Sequence, residues 1–219
     1  MGSNRKISLN GAALKWIAIV TMTIDHIGYA LFPYQIWMRY VGRIAFPIFC
    51  FLLVEGAVHT KNIRKYELRM LVFACIAEVP FDFGLYHQIY WSHQNVMFTM
   101  LLGLVLIDAL RTIKHPVGIA LSCVAGIAAA TVCQVDYGGM GIVLILAFYW
   151  FRIMFWHKGL SLILIEMIEG MDWPVQRAGI LALPFLYFYN GERGRQNRYF
   201  FYVYYPLHLL VIYVIWYLR

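Results

Sequence analysis

Charge is what this sequence is short of. Only 13% of its 219 residues are Asp, Glu, Lys or Arg, while 62% are hydrophobic and 17% aromatic. A soluble domain carries about 25% charged and about 45–50% apolar residues, so this composition cannot build a water-facing surface. Disorder is excluded for the opposite reason, an excess of apolar side chains. No linker, internal repeat or low-complexity tract divides the chain, and a single domain over residues 1–219 is expected. A cleavable signal is not expected either: the first apolar run is long, carries Asp25-His26, and no small-residue cleavage site follows it. The four cysteines (Cys50, Cys75, Cys123, Cys133) contain no C-x-x-C pair and lie in or at the ends of apolar runs, so they read as small buried hydrophobes. The 7 histidines show neither H-x-x-x-H nor H-E-x-x-H spacing, which argues against a metal hydrolase; no metal is expected.

What the chain does have is long apolar runs, at roughly 12–32, 36–56, 68–86, 96–113, 116–135, 139–155, 159–172, 177–189 and 199–218. At about 20 residues per helical span the length admits about nine. The expected fold is an all-α polytopic integral membrane protein of about nine transmembrane helices. The seventh and eighth runs are short, broken by Gly170, Asp172 and Trp173-Pro174, and read as two short spans or one re-entrant hairpin.

The connecting segments alternate in charge. Arg5, Lys6 and Lys15 precede or open the first run; Lys61, Arg64, Lys65 and Arg69 follow the second; Arg111 and Lys114 follow the fourth. Arg152 and Lys158 follow the sixth, and Arg193, Arg195 and Arg198 the eighth. The loops near 33–38, 86–95, 134–140 and 169–176 hold no Lys or Arg, so of the 18 basic residues only Arg39, Arg43, Arg177 and Arg219 fall on that other side. By the positive-inside rule the N-terminus is cytoplasmic and the C-terminus outside. The net charge of +7 is therefore mostly a topology signal, and no nucleic acid partner is expected.

Some charges lie where a bilayer makes them costly, about 2.5–3.5 kcal/mol each at the centre on insertion scales. Asp25 and His26 fall about 20 Å along the first span, and His208 about 14 Å into the last, beside Pro206. Arg39 and Arg43 share a helix face, as do Glu78 and Asp82 around Pro80, and Asp136-Tyr137 ends the fifth run. If the spans pack together, two acids, two arginines and one histidine converge on an outer cavity, with Arg39 and Arg43 pairing with Asp25, Glu78 or Asp82. Asp25 points about 100° away from His26 on a helix, which suits it to anchor an arginine. His26 is a poor structural cation near neutral pH and a good general base. His208 reads equally as a capping or packing residue. A chain of Asp25, His26 and Asp82 also fits a proton relay, so a proton-coupled small-solute transporter is the alternative. A non-catalytic scaffold would tolerate substitution at Asp25, His26 and Arg43.

The stretches LKWIAIVTMTIDHIG (14–28), GRIAFPIFCFLLVEG (42–56), HTKNIRKYELRMLVF (59–73), EVPFD (78–82), NVMFTMLLGL (95–104), DYGGMG (136–141) and YPLHLL (205–210) resemble the TraX family. That family is similar in turn to a larger group of transmembrane acyltransferases that includes the acyltransferase family 3 proteins. The resemblance implies a multi-pass protein of the bacterial cytoplasmic (inner) membrane. It also implies an enzyme that takes an acetyl group from cytoplasmic acetyl-CoA and gives it to an amine or hydroxyl acceptor: a peptide or pilin N-terminus, an amino sugar or an envelope polymer. On that reading His26 is the base, or transiently carries the acyl group, and Arg43 stabilises the oxyanion, with Asp25 beside them. Substrate-binding candidates are Arg39, Glu78, Asp82, Asn95, Asp136, Tyr137 and His208, and Lys61, Arg64 and Arg69 are candidates for the anionic CoA. Small residues of the fifth run (Gly118, Ala120, Ser122, Gly126, Ala128, Ala129, Ala130) make it a candidate contact surface between copies.

Overall fold

The computed structural model describes residues 8–195 and 197–219. Arg5 and Lys6 of the basic N-terminal flank, and the side chain of Arg198, lie outside the described residues. The chain forms α1 (Gly11–Ala30), α2 (Ile36–Gly42), α3 (Ala45–His59) and α4 (Ile63–Phe81), which runs into a π turn at Asp82–Tyr86. After these come α5 (Val96–Thr112), α6 (Pro116–Val132), α7 (Gly138–Trp150) and α8 (Phe155–Asp172). A 3-10 segment (Pro174–Ala182), α9 (Leu183–Tyr187) and α10 (Arg198–Tyr217) complete the order. No named strand occurs among the described residues; two isolated bridges tie loops together.

Asparagine starts four of these helices. The side chains of Asn10, Asn62, Asn95 and Asn197 accept from the backbone N–H groups of Ala13, Lys65, Met97 and Tyr199, satisfying donors that a helix leaves open. Pro116 opens α6, where its missing N–H costs nothing. Pro80 lies inside α4, and the π turn follows directly, so the third apolar run ends in a widened coil.

Contacts between loops define two ends. At one end Gly11 N donates to Glu192 O, Tyr189 donates to Glu55, and Arg111 binds Ala57 O. At the other Gln94 N donates to Gln134 O, Arg219 donates to Leu31 O, and Arg39 lies over the Trp173 ring. Lys61, Lys65, Arg111 and Arg193 thus share an end, and the loops without Lys or Arg share the opposite one. The short eighth run makes the return. Nine residues of 3-10 helix rise about 2.0 Å each and five of α-helix about 1.5 Å, so 174–187 covers about 25 Å. That extension carries the chain from Trp173 back to Tyr189 at the basic end.

The core lies between α3, α5 and α7, where Ile48, Leu104, Ile107, Ile142, Leu144, Ile145 and Phe148 are fully buried. Outward faces are apolar as well: Leu71, Ile76, Leu121, Leu164, Leu207 and Val211 are all exposed. Ile36–His59 and Tyr199–Tyr217 are long and apolar enough to cross a membrane, while α6 and α7 are apolar but shorter. α6 is peripheral, with Ala130 its one buried residue. The cysteines depart from expectation: all four are free, but only Cys50 is buried, and Cys75 and Cys133 are exposed on the outer surface.

Candidate functional site

Two features stand one above the other in the bundle: a buried polar group near the end without Lys or Arg loops, and a cavity opening at the basic end.

The polar group is built on the α1–α2 contact. Asp25 Oδ2 accepts from Arg39 Nη1 at 2.7 Å and from Arg43 Nη2 at 2.6 Å, with Asp25 only 4% exposed. Gly42 makes this approach possible, because any side chain there would overlap the Asp25 carboxyl. Arg43 Nη1 also donates to Gln176 Oε1 at 3.3 Å, and its guanidinium lies 5.7 Å from the Tyr137 ring centre. Arg39 lies 4.9 Å over the Tyr29 ring. Tyr137, which precedes α7, has a left-handed backbone (φ 62) and stacks on Phe46. Asp25, Arg39, Arg43 and Tyr137 therefore form one assembly, and both arginines are held by Asp25.

Glu78 of α4 and Asp82 of the π turn stay apart from it, contrary to the expected convergence. Glu78 Oε2 accepts from the backbone and side-chain amides of Asn95, whose Nδ2 also donates to Ala74 O and whose Oδ1 caps α5. Asn95 is fully buried and its polar atoms are committed to the fold, which leaves it none for a substrate. Asp82 Oδ2 accepts from Tyr90 N at 3.1 Å and pins the following loop. Asp136 meets His93, Nε2 to Oδ1 at 3.4 Å. That hydrogen bond raises the pKa of His93, in the loop before α5; burial opposes the rise, and the charges of Asp136, Glu78 and Asp82 reinforce it.

His26 meets a group that periodicity could not find: its Nδ1 lies 2.7 Å from His208 Nε2, and the rings are nearly parallel, 8° apart. Tyr205 packs edge-on against His26, and its buried hydroxyl has no hydrogen-bond partner of ordinary geometry.

The cavity has a volume of about 810 Å³, within the range of small-molecule sites. Lys15, Lys61, Lys65, Arg69 and Arg193 line it, with Glu55 as its acid. Its apolar wall includes Met22, Met97 and Tyr205, so it reaches the Tyr205 ring that rests on His26. Arg64 is not among the lining residues. Its side chain, 81% exposed, pairs with Asp108 and Glu67, which corrects its expected place beside Lys61 and Arg69.

Sequence reasoning passed over Gln176, Glu166 and Glu169. Glu166 is fully buried against Gly179, and both it and Glu169 approach Gln176. The signal for Glu166 was present, an acid inside an apolar run; Gln176 lies in the short 3-10 segment and is uncharged, so nothing marks it. Among the described residues no group of three or more His, Cys, Asp or Glu could hold a metal ion.

The profile of the TraX protein family matches residues 10–216, nearly the whole chain. The chain belongs to the TraX family. Among curated relatives, a probable fimbrial assembly protein FimC, serogroup H1, of Dichelobacter nodosus is 29% identical over 95% of this chain and 96% of its own length. An uncharacterized protein of Rickettsia prowazekii (strain Madrid E) is 58% identical over 30% of this chain and 25% of its own length. No solved structure matches.

Proposed function

We propose that this TraX-family protein is a multi-pass acetyltransferase of the bacterial inner membrane, using cytoplasmic acetyl-CoA and His26 as general base. The cavity carries this reading. Its mouth gathers Lys15, Lys61, Lys65, Arg69 and Arg193, a field that suits the phosphates of CoA, and its apolar inner wall ends at Tyr205 beside His26. An acyl-pantetheine arm entering there has its phosphates at the basic end and its thioester toward the histidines.

Exposed Leu, Ile and Val on the outer faces of α4, α6, α8 and α10 support a bundle embedded in a bilayer, since water does not tolerate so wide an apolar surface. The buried Asp25–Arg39–Arg43 group is then internal, as costly intramembrane charge must be. Arg43 is already held by Asp25, so its part is to shape the site through Gln176 and Tyr137 and to add positive potential at a developing oxyanion. The resemblance to a fimbrial assembly protein favours the free amine of an envelope peptide, such as a fimbrial subunit N-terminus, as acceptor.

Thermal unfolding of the purified protein in detergent, with and without acetyl-CoA, tests the donor. Stabilisation that is lost in a Lys61→Glu/Arg69→Glu variant and kept in Arg64→Glu supports the assignment. No stabilisation at millimolar acetyl-CoA overturns it and returns the intramembrane charges to a proton-coupled transporter.

A further inference from the structure

The two histidines touch through ring nitrogens, and elementary hydrogen-bond accounting orders their protons. His208 Nδ1 lies 2.9 Å from the carbonyl oxygen of Tyr204, one turn earlier in α10. A carbonyl only accepts, so Nδ1 of His208 carries the proton. In a neutral imidazole the other nitrogen is then a bare acceptor, so His208 Nε2 presents a lone pair. The 2.7 Å contact requires a donor opposite it, and that donor is His26 Nδ1. His26 is thereby left with its lone pair on Nε2.

We infer that His208 is a positioning residue: it holds His26 as the Nδ1–H tautomer and leaves His26 Nε2 as the working base. The inference rests on the acetyltransferase reading for its chemistry, but not for its geometry. Exposure agrees with the division of labour, since His208 is 7% exposed while His26 is half-buried. The support is itself anchored. Tyr204 stacks on His208 at 5.1 Å, and its hydroxyl shares a hydrogen bond with Thr23 of α1 at 2.9 Å, tying α10 to the helix that carries His26. Asp25, the sequence neighbour, is not the orienting group: its Oδ2 holds both arginines, and His26 Nδ1 is taken by His208. The groups facing the pair are Arg39 and Arg43 through their charge, with Tyr204 and Tyr205 of α10 against the rings.

In the reaction the acceptor N–H or O–H gives its proton to His26 Nε2 as the acceptor atom bonds to the thioester carbonyl carbon. The carbon–sulfur bond then breaks, and the CoA thiolate takes that proton back from His26. During the intermediate His26 is an imidazolium, and its Nδ1–H donates to the neutral His208 Nε2. This is the role a carboxylate plays in a serine-hydrolase triad, filled here by a second imidazole.

¹⁵N-histidine NMR of the intact protein in lipid nanodiscs tests the tautomers, with His26→Ala and His208→Ala spectra assigning the signals. At neutral pH the inference requires His26 with protonated Nδ1 and bare Nε2, and His208 likewise. A wild-type His26 protonated on Nε2 overturns it, whatever reaction the protein performs. Acetyl transfer then tests the consequence. His208→Ala lowers kcat on the order of a hundredfold with KM for acetyl-CoA unchanged, and His208→Gln, which retains an acceptor for Nδ1–H, recovers part of it. Wild-type kcat in His208→Ala overturns the positioning role. The stated tautomers in a protein that transfers no acetyl group uphold the inferred geometry and overturn only the acetyltransferase reading.

Discussion

The two ends of the bundle use polar residues in opposite ways. At the end without Lys or Arg loops, charged groups are paired within the fold: Asp25 takes both arginines, Glu78 takes Asn95, and Asp136 takes His93, while Asp25 Oδ1, Arg43 Nε and Asp82 Oδ1 keep no hydrogen bond among the described residues. At the basic end Lys61, Lys65 and Arg69 face an open cavity in which, among the described residues, Glu55 is the one acid. Residue type does not separate these roles, since arginine serves at both ends. What separates them is whether a partner already exists within the fold. A charge paired inside the fold sets geometry, and a cluster of cations with little acid opposite it suits an anionic ligand.

The strongest way to break this contrast is to remove the partner at the paired end. Asp25→Ala leaves two buried guanidinium groups without a counter-charge and should cost about 3–5 kcal/mol of stability. Thermal or denaturant unfolding in detergent measures it. Gly42→Ala should act in the same direction by displacing the Asp25 carboxyl. A stable Asp25→Ala protein would mean that the arginines are solvated and that this end is as open as the other.

Asn95→Ala should cost about 2 kcal/mol, from a lost helix cap and the loss of the Glu78 carboxylate's partner. KM for acetyl-CoA should stay at the wild-type value in the protein that remains folded. A raised KM with unchanged stability would return Asn95 to the ligand.

At the open end the effect should fall on binding. Lys61→Glu/Arg69→Glu should raise KM for acetyl-CoA about tenfold, which is ~1.4 kcal/mol, while leaving the unfolding midpoint in place. Arg64→Glu, at an exposed ion pair, should change KM less than about twofold. Equal effects of the two variants would reduce the cavity mouth to a general surface charge.

The smallest effect is the pH response of His93. Its pKa is raised in the folded state, chiefly by the hydrogen bond to Asp136. The stabilisation is thus complete below the unfolded value near about 6.5 and is lost as pH rises through the folded value. The pair is about one-third exposed, so the contribution should stay below about 1 kcal/mol. Between pH 6 and 8 the wild type should lose slightly more stability than His93→Gln, and parallel curves would remove the pair from the paired end.

Much of this was legible in the sequence, for identifiable reasons. Helix order followed from the apolar runs, and the alternation of Lys and Arg matched the grouping of loops at two ends. That Arg39 and Arg43 pair with a buried acid followed from the cost of burying charge and from their four-residue spacing, but the choice of Asp25 over Glu78 and Asp82 did not. Spacing along one helix says nothing about what stands opposite, and so Glu78 and Asp82 were placed in the wrong company. Asn95 shows the same limit: an Asn before an apolar run is a cap signal as much as a ligand signal. The His26–His208 contact spans 182 positions and two helices, and no local pattern encodes it. Gln176 escapes for a related reason: it shares the buried three-residue row of Gly179 and Ala182, but a nine-residue segment is too short for that row to show what stands opposite.

The most direct measurement is transfer of labelled acetyl from acetyl-CoA to a bacterial envelope fraction by the purified protein, wild type against His26→Ala. His26→Ala should unfold at a temperature close to the wild type and transfer label at least a hundredfold more slowly. Transfer by folded His26→Ala at the wild-type rate would contradict the assignment of His26 as the base.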